Sequence, residues 1–253
     1  MKSTLALSSL LLPAALAKGT LKSEAVEGLC DTSVKSQSGY YHVDSGIDKN
    51  YFYWMFESRD TPSTDPLIMW LNGGPGCSSQ LGLLTENGPC TVSEDGLSTI
   101  NNPHSWTNNA NVMWVDQPAY VGYSYGGGKD DLVHNESQIA EDMYGFLQEF
   151  FAQNPQYAES DFYVFGESYG GHYAPAISSR IFEANQNNEG PLKINLKGVG
   201  VGNGLTDPLI QYQYYPQMAM NNTYGIKTVS EETYSHMVDR LPFCEKLIAA
   251  CQF

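Results

Sequence analysis

Gly166-Glu167-Ser168-Tyr169-Gly170 is the part of this 253-residue sequence best equipped for chemistry. Residues 161–165 before it, Asp-Phe-Tyr-Val-Phe, suit a buried strand, and a helix-compatible stretch over residues 169–183 follows. In that setting G-x-S-x-G is a nucleophile elbow. The serine stands at a tight turn, and the amides that open the helix face the oxyanion formed when it attacks a carbonyl. Gly166 and Gly170 supply the small flanks this turn needs. Glycines at an ordinary strand-to-helix turn are the plain alternative, and a second constellation argues against it. Trp70-Leu71-Asn72-Gly73-Gly74-Pro75-Gly76-Cys77-Ser78-Ser79 follows the apolar run of residues 66–71. Its glycines suit a loop that brings backbone amides close to a substrate. Two parts of one acyl-transfer site thus occur in the order such a site requires.

A site of this kind needs a rigid sheet behind it. After a loop-like stretch over residues 20–38, residues 39–43 and 51–57 read as strands joined by the turn chemistry of residues 44–50. Residues 66–71 and 111–115 are apolar on both faces, as parallel strands covered on each side must be. Residues 138–153 place Ile139, Met143, Phe146, Leu147 and Phe150 on one helical stripe, stopped by Asn154-Pro155. Residues 197–201 read as a further strand, ended by Gly202-Asn203-Gly204. The alternation predicts an α/β fold with a mostly parallel sheet flanked by helices. Asp207-Pro208 reads as a turn, and residues 230–241 and 243–250 as two short amphipathic helices. Residues 18–210 are therefore expected to form the core, and residues 211–253 the beginning of a helical cap.

With 13 basic and 28 acidic residues the net charge is −15, which repels polyphosphates and disfavours nucleic acid as a partner. Met1-Lys2, the apolar run of residues 5–16 and the small-x-small Ala15-Leu16-Ala17 form the pattern of a secretory signal peptide over residues 1–17. That run is too short to remain as a membrane anchor, so no membrane association is expected after cleavage. The sequons Asn135-Glu136-Ser137 and Asn221-Asn222-Thr223 fit that route and mark Asn135 and Asn221 as glycan acceptors. The five cysteines leave either one free thiol or a partner outside the sequence.

Several long motifs carry a resemblance: residues 70–79, Glu86-Asn87-Gly88-Pro89, Asn102-Pro103-His104-Ser105-Trp106, Asp116-Gln117-Pro118, Gly122-Tyr123-Ser124, residues 166–175 and residues 202–208. Together they resemble the serine carboxypeptidases, a lysosomal, vacuolar and secreted family of α/β hydrolases, and within it the carboxypeptidase Y-like branch. The resemblance runs from about Gly39 to the last residue. It implies the α/β-hydrolase fold and release of C-terminal residues from peptides and proteins through an acyl-enzyme, without metal or cofactor. Ser168 would be the nucleophile, and the amides of Gly74 and Tyr169 the oxyanion hole. Asn72, Glu86 and Glu167, with the amide of Gly73, would receive the substrate's C-terminal carboxylate, and Trp70 would support Asn72. Two buried neighbouring glutamates would have raised pKa values and share protons, which implies an acidic working range. The resemblance also implies that Cys77, Cys244 and Cys251 bridge to cysteines beyond residue 253. Cys30 and Cys90 could then pair with each other.

A triad also needs a base and an acid to orient it. Only His172 and His236 follow Ser168. His172, four residues on along the same helix, is expected to point away from the nucleophile, and His236 has no flanking motif. Asp207 and Asp239 lack a strand-end context. In the resembling family both residues come later in a longer chain, so the expectation is a sequence missing the C-terminal part of the fold and inactive as written. An acyltransferase on the same scaffold is the nearest alternative, and the Glu86–Glu167 pair favours peptide carboxylates over it. A non-catalytic binding homologue is a second alternative, but it has little reason to keep Ser168, both Gly-rich loops and the receptor together.

Overall fold

In the computed structural model the described residues are 24–25, 28–44 and 48–251; the expected signal peptide, residues 1–17, lies outside them. Strands β1 (Glu24–Ala25), β2 (Ser36–Asp44), β3 (Asp48–Phe56), β4 (Leu67–Leu71), β7 (Asn111–Val115), β9 (Phe162–Glu167) and β10 (Leu196–Gly202) form one sheet. Their order across it is β1-β2-β3-β7-β4-β9-β10, with β8 (Tyr125–Gly126) against β3. From β7 to β10 the pairings are parallel, while β1, β2 and β3 add an antiparallel flank. A separate hairpin joins β5 (Cys90–Val92) and β6 (Thr99–Asn101).

Every residue of β7 is buried, as its two-sided apolar sequence requires. On one face, helix α2 (Glu136–Gln153) and helix α3 (Gly170–Asn187) cover a core containing Tyr41, Tyr53, Met113, Phe146, Phe150 and Ile177. Burying each such side chain contributes about 1.5–3 kcal/mol. On the other face, the short helix α1 (Gln80–Thr85) covers Phe56, Trp70, Val112 and Trp114. A buried polar pin ties α2 to the sheet: Asp142 Oδ2 accepts from Lys49 Nζ and from Tyr51 Oη, each at 2.6 Å. Register then sets the site. Leu71 at the end of β4 lies opposite Gly166 in β9, so the Gly-rich loop and the elbow leave the sheet side by side.

Three sequence expectations are corrected. The loop-like stretch before residue 39 contains β1 and the start of β2 at Ser36, because pairing with β3 extends through Ser36↔Phe56. Asp207-Pro208 is a helix start and not a turn. Asp207 Oδ1 accepts from the amides of Leu209 and Ile210, and Pro208 takes the first position of α4 (Pro208–Gln211), where no amide is needed. After α5 (Tyr215–Met220), the two helices expected around Pro242 are one, α6 (Glu231–Cys251). Pro242 is exposed, so its ring displaces no tertiary partner, and one lost backbone bond does not end the helix. Among the described residues no helix is long and apolar enough to cross a membrane.

Candidate active site

Ser168 has φ +58°, a left-handed backbone that costs energy in a residue with a Cβ and marks the strained turn of an elbow. Neighbouring backbone holds it there. Its amide donates to Gly202 O at 3.0 Å, and its carbonyl accepts from Gly171 N at 3.0 Å and Leu205 N at 2.8 Å. The turn is tight enough that a Cβ on Gly166 would lie 2.4 Å from the Gly170 carbonyl oxygen. The serine side chain is exposed, as an attacking group must be.

The Gly-rich loop packs backbone to backbone on this turn. A Cβ on Gly73 would stand 2.3 Å from Tyr169 N and 2.6 Å from Glu167 O. The amides of Gly74 and Tyr169 donate to no protein acceptor among the described residues, which leaves both able to stabilise an oxyanion. Asp116, fully buried just past β7, anchors the loop. Its Oδ1 accepts from Ser78 Oγ at 2.6 Å and Ser79 N at 2.9 Å, and its Oδ2 from Tyr123 N at 2.9 Å. Sequence reasoning gave Asp116 no role; its place at the carboxyl end of a parallel strand was the available signal.

Asn72 is buried, and its amide can point only one way. Its Oδ1 accepts from Trp70 Nε1 at 2.9 Å and Gly82 N at 3.0 Å, so its Nδ2 must face the other side. There it donates to Glu86 Oε1 at 3.1 Å and Glu167 Oε2 at 3.0 Å. Trp70, Asn72, Glu86 and Glu167 are thereby brought together beside Ser168, but the two glutamates are not both buried as expected: Glu86 is exposed and Glu167 half-buried. Desolvation first, then the charge of Glu167 and a hydrogen bond with it, push the Glu86 carboxyl above the usual range; the Asn72 amide opposes this. Glu86 is fixed from behind by Asn87, whose side-chain oxygen accepts from Trp114 Nε1 at 3.0 Å. Trp106 lies edge-on to Trp70, with ring centroids 5.1 Å apart, and closes that wall.

A base is another matter. All five histidines are described, and none is hydrogen-bonded to Ser168. His172 stacks on the ring of Tyr169 at 4.5 Å, with its Nδ1 buried and unbonded, and His236 is exposed on α6. Asp207 caps α4, and Asp239 is exposed on α6. Cys30 and Cys90 form a disulfide, while Cys77, Cys244 and Cys251 are free, with Cys77 and Cys251 exposed. Arg59 clamps the same two segments as that disulfide. It donates to Asp31 Oδ2 at 2.7 Å, to the carbonyls of Asn102 and Pro89 at 2.7 and 3.0 Å, and to Asn101 Oδ1 at 2.8 Å. Both sequon asparagines are exposed, and Asn135 caps α2 through its oxygen, leaving its nitrogen unused by that bond.

The sequence model of the serine carboxypeptidase family matches residues 28–252. Carboxypeptidase Y homolog A of Fusarium vanettenii is 46% identical over 218 residues, 86% of this chain and 39% of the relative. Carboxypeptidase Y of Schizosaccharomyces pombe is 43% identical over 240 residues, 91% of this chain and 23% of the relative. The crystal structure of Kex1(delta)p, a prohormone-processing carboxypeptidase from Saccharomyces cerevisiae, superposes with a TM-score of 0.75 at 28% identity. That superposition covers 89% of this chain and 50% of the yeast one. The chain therefore spans well under half the length of these two curated relatives. The match over nearly all of its described residues, together with the α/β-hydrolase sheet and its elbow, makes this chain a member of the serine carboxypeptidase family.

Proposed function

We propose that the chain carries the nucleophile, oxyanion donors and substrate receptor of a peptidase that releases C-terminal residues at acidic pH. The observation that carries this reading is Asn72, oriented by Trp70 and Gly82 and bonded to both Glu86 and Glu167 beside Ser168. A peptide's terminal carboxylate would accept hydrogen bonds from this protonated cluster and from the Gly73 amide. That pose sets the preceding peptide carbonyl over Ser168. Oγ bonds to the carbonyl carbon as its proton passes to a base, and the new oxyanion accepts from the amides of Gly74 and Tyr169. Collapse breaks the C–N bond, the departing amine takes the proton, and water later cleaves the ester.

The described residues bring no base to Ser168, so the chain by itself is expected to turn over negligibly. A histidine and an orienting acid would have to come from elsewhere in the whole enzyme. We further assign the chain to the secretory route, toward a vacuole, lysosome or the exterior, with glycans at Asn135 and Asn221. The Cys30–Cys90 bridge supports an oxidising compartment. Cys77, Cys244 and Cys251 would bridge to cysteines beyond residue 253, and residues 211–253 would begin a cap over the site.

Binding of one peptide with a free and with an amidated C-terminus tests the receptor. At pH 5 the free acid is expected to bind about tenfold or more tightly, since charge-assisted bonds contribute roughly 1.5–3 kcal/mol. The advantage should shrink toward pH 8, as Glu86 loses its proton and repels the carboxylate. Equal affinity for both peptides overturns the receptor. Rapid, Ser168-dependent hydrolysis of a blocked dipeptide, or efficient labelling by a serine-reactive phosphonate, overturns the inactivity.

A further inference from the structure

A cleft of about 300 Å³ opens beside the oxyanion turn and has no part in carboxylate recognition. Pro75 and Gly76, which directly follow the Gly74 oxyanion position, line it together with Asn135 and Glu136 at the start of α2 and with Tyr169 and Tyr173. Tyr169 therefore serves two places at once, with its amide at the oxyanion position and its ring in the cleft. Along the loop the order is receptor (Asn72), oxyanion position (Gly74) and cleft (Gly76). A peptide seated by its C-terminal carboxylate at Asn72 would run its acyl half into the cleft.

The cleft's walls are mostly apolar, and its acidic group is aimed. Glu136 Oε1 accepts from Tyr169 Oη at 2.7 Å, while Oε2 has no partner among the described residues. Two features suit Glu136 to a cationic group. It occupies the first turn of α2, where the helix dipole favours negative charge, and it receives a hydroxyl proton. Burial and this same bond push the Tyr169 hydroxyl up to about 12, so it remains a donor across the physiological range. A net charge of −15 adds a general attraction for cations. His134 also lines the cleft, but its backbone amide is tied to Gln138 Oε1 at 2.7 Å, and no bond joins its ring to Glu136. Apolar walls ending in an oriented carboxylate suit the methylene stem and charged tip of a lysine or arginine.

We infer that this cleft is an acyl-side subsite in which Glu136 selects peptides carrying a cationic side chain one or two residues before the C-terminal one. The inference rests on the carboxypeptidase reading above. Because Asn135 lines the cleft, the test measures equilibrium binding at pH 5.5 to the full chain in glycosylated and unglycosylated form, with the preference expected in the unglycosylated form. It uses labelled peptides that differ only in lysine or norleucine at those positions. Each is made with a free and with an amidated C-terminus. The lysine peptide is expected to bind about five- to tenfold more tightly, the range of a partly desolvated ion pair. Glu136→Gln, which can still accept from Tyr169, should bring the lysine peptide down to the norleucine level. Glu159→Gln, which removes an exposed charge elsewhere, should leave the preference in place. Equal binding of lysine and norleucine peptides to the unglycosylated form overturns the subsite, as does a preference that survives Glu136→Gln. If lysine selection fails while the free carboxylate still matters, the subsite alone is wrong. If neither free acid binds better than its amide, the receptor reading falls and the subsite falls with it.

Discussion

Helices α2 and α6 have similar lengths and very different surroundings. α2 buries ten of its 18 residues between the sheet and α3, whereas α6 buries none of its 21. Phe146 on α2 is fully buried, edge-on to Tyr41 at 5.3 Å and Tyr53 at 5.9 Å. On α6, Val238, Phe243 and Leu247 are 43%, 59% and 54% exposed, although each is as apolar as a core residue. Sequence pattern gives both helices an apolar stripe. The sheet and α3 receive the stripe of α2, whereas the half-buried stripe of α6 (Tyr234, Met237, Leu241, Ile248) rests on the short helices α4 and α5, so packing holds α2 far more firmly than α6.

The largest expected effect that could break this contrast comes from truncating one apolar side chain on each helix. Phe146→Ala should cost about 3–5 kcal/mol in urea denaturation, the usual range for emptying a packed aromatic site. Leu247→Ala should stay within about 0.5 kcal/mol. Equal costs would mean that α6 packs in solution as tightly as α2. Caps give a smaller and sharper comparison. Asn135 accepts from the Gln138 amide and Ser230 from the Thr233 amide, both at about 3 Å. In unglycosylated protein, Asn135→Ala should lower global stability by about 1 kcal/mol. Ser230→Ala should leave the global midpoint in place and appear only as faster amide exchange in the first turn of α6. A shifted midpoint for Ser230→Ala would couple α6 to the core.

The smallest effect lies inside the well-packed half, where stability has been given up for a binding site. The Glu86 carboxyl is raised in the folded chain, so the native state holds more protons than the unfolded one above the ordinary glutamate range. Stability should therefore fall as pH rises from about 4 toward the raised value. Glu86→Gln should flatten that slope, gaining relative stability at pH 7 and little at pH 4. Parallel pH–stability profiles for the two proteins would remove Glu86 as the cause.

What the sequence made legible follows the same division. The elbow, the Gly-rich loop and strands such as β7 could be read because each is set by neighbours in the chain, through small flanks, turn residues and two-sided apolar runs. Asp116 and Arg59 could not be read, because their partners are far away in sequence: Ser78 and Ser79 for one, Asp31, Pro89, Asn101 and Asn102 for the other. The proline rule failed at Pro242 because nothing packs there to punish a lost bond.

The bonds that hold Ser168 also set an order of events during synthesis. Its amide and carbonyl are tied to Gly202 and Leu205, which leave the ribosome after it. At about 5–20 residues per second, the interval is roughly 2–7 s. During those seconds the left-handed turn lacks two of its three backbone bonds and keeps only the one from the Gly171 amide. The nucleophile is thus cocked by the strand that follows it, and a ribosome stalled before residue 202 would hold a chain with every receptor residue already made and an elbow not yet set.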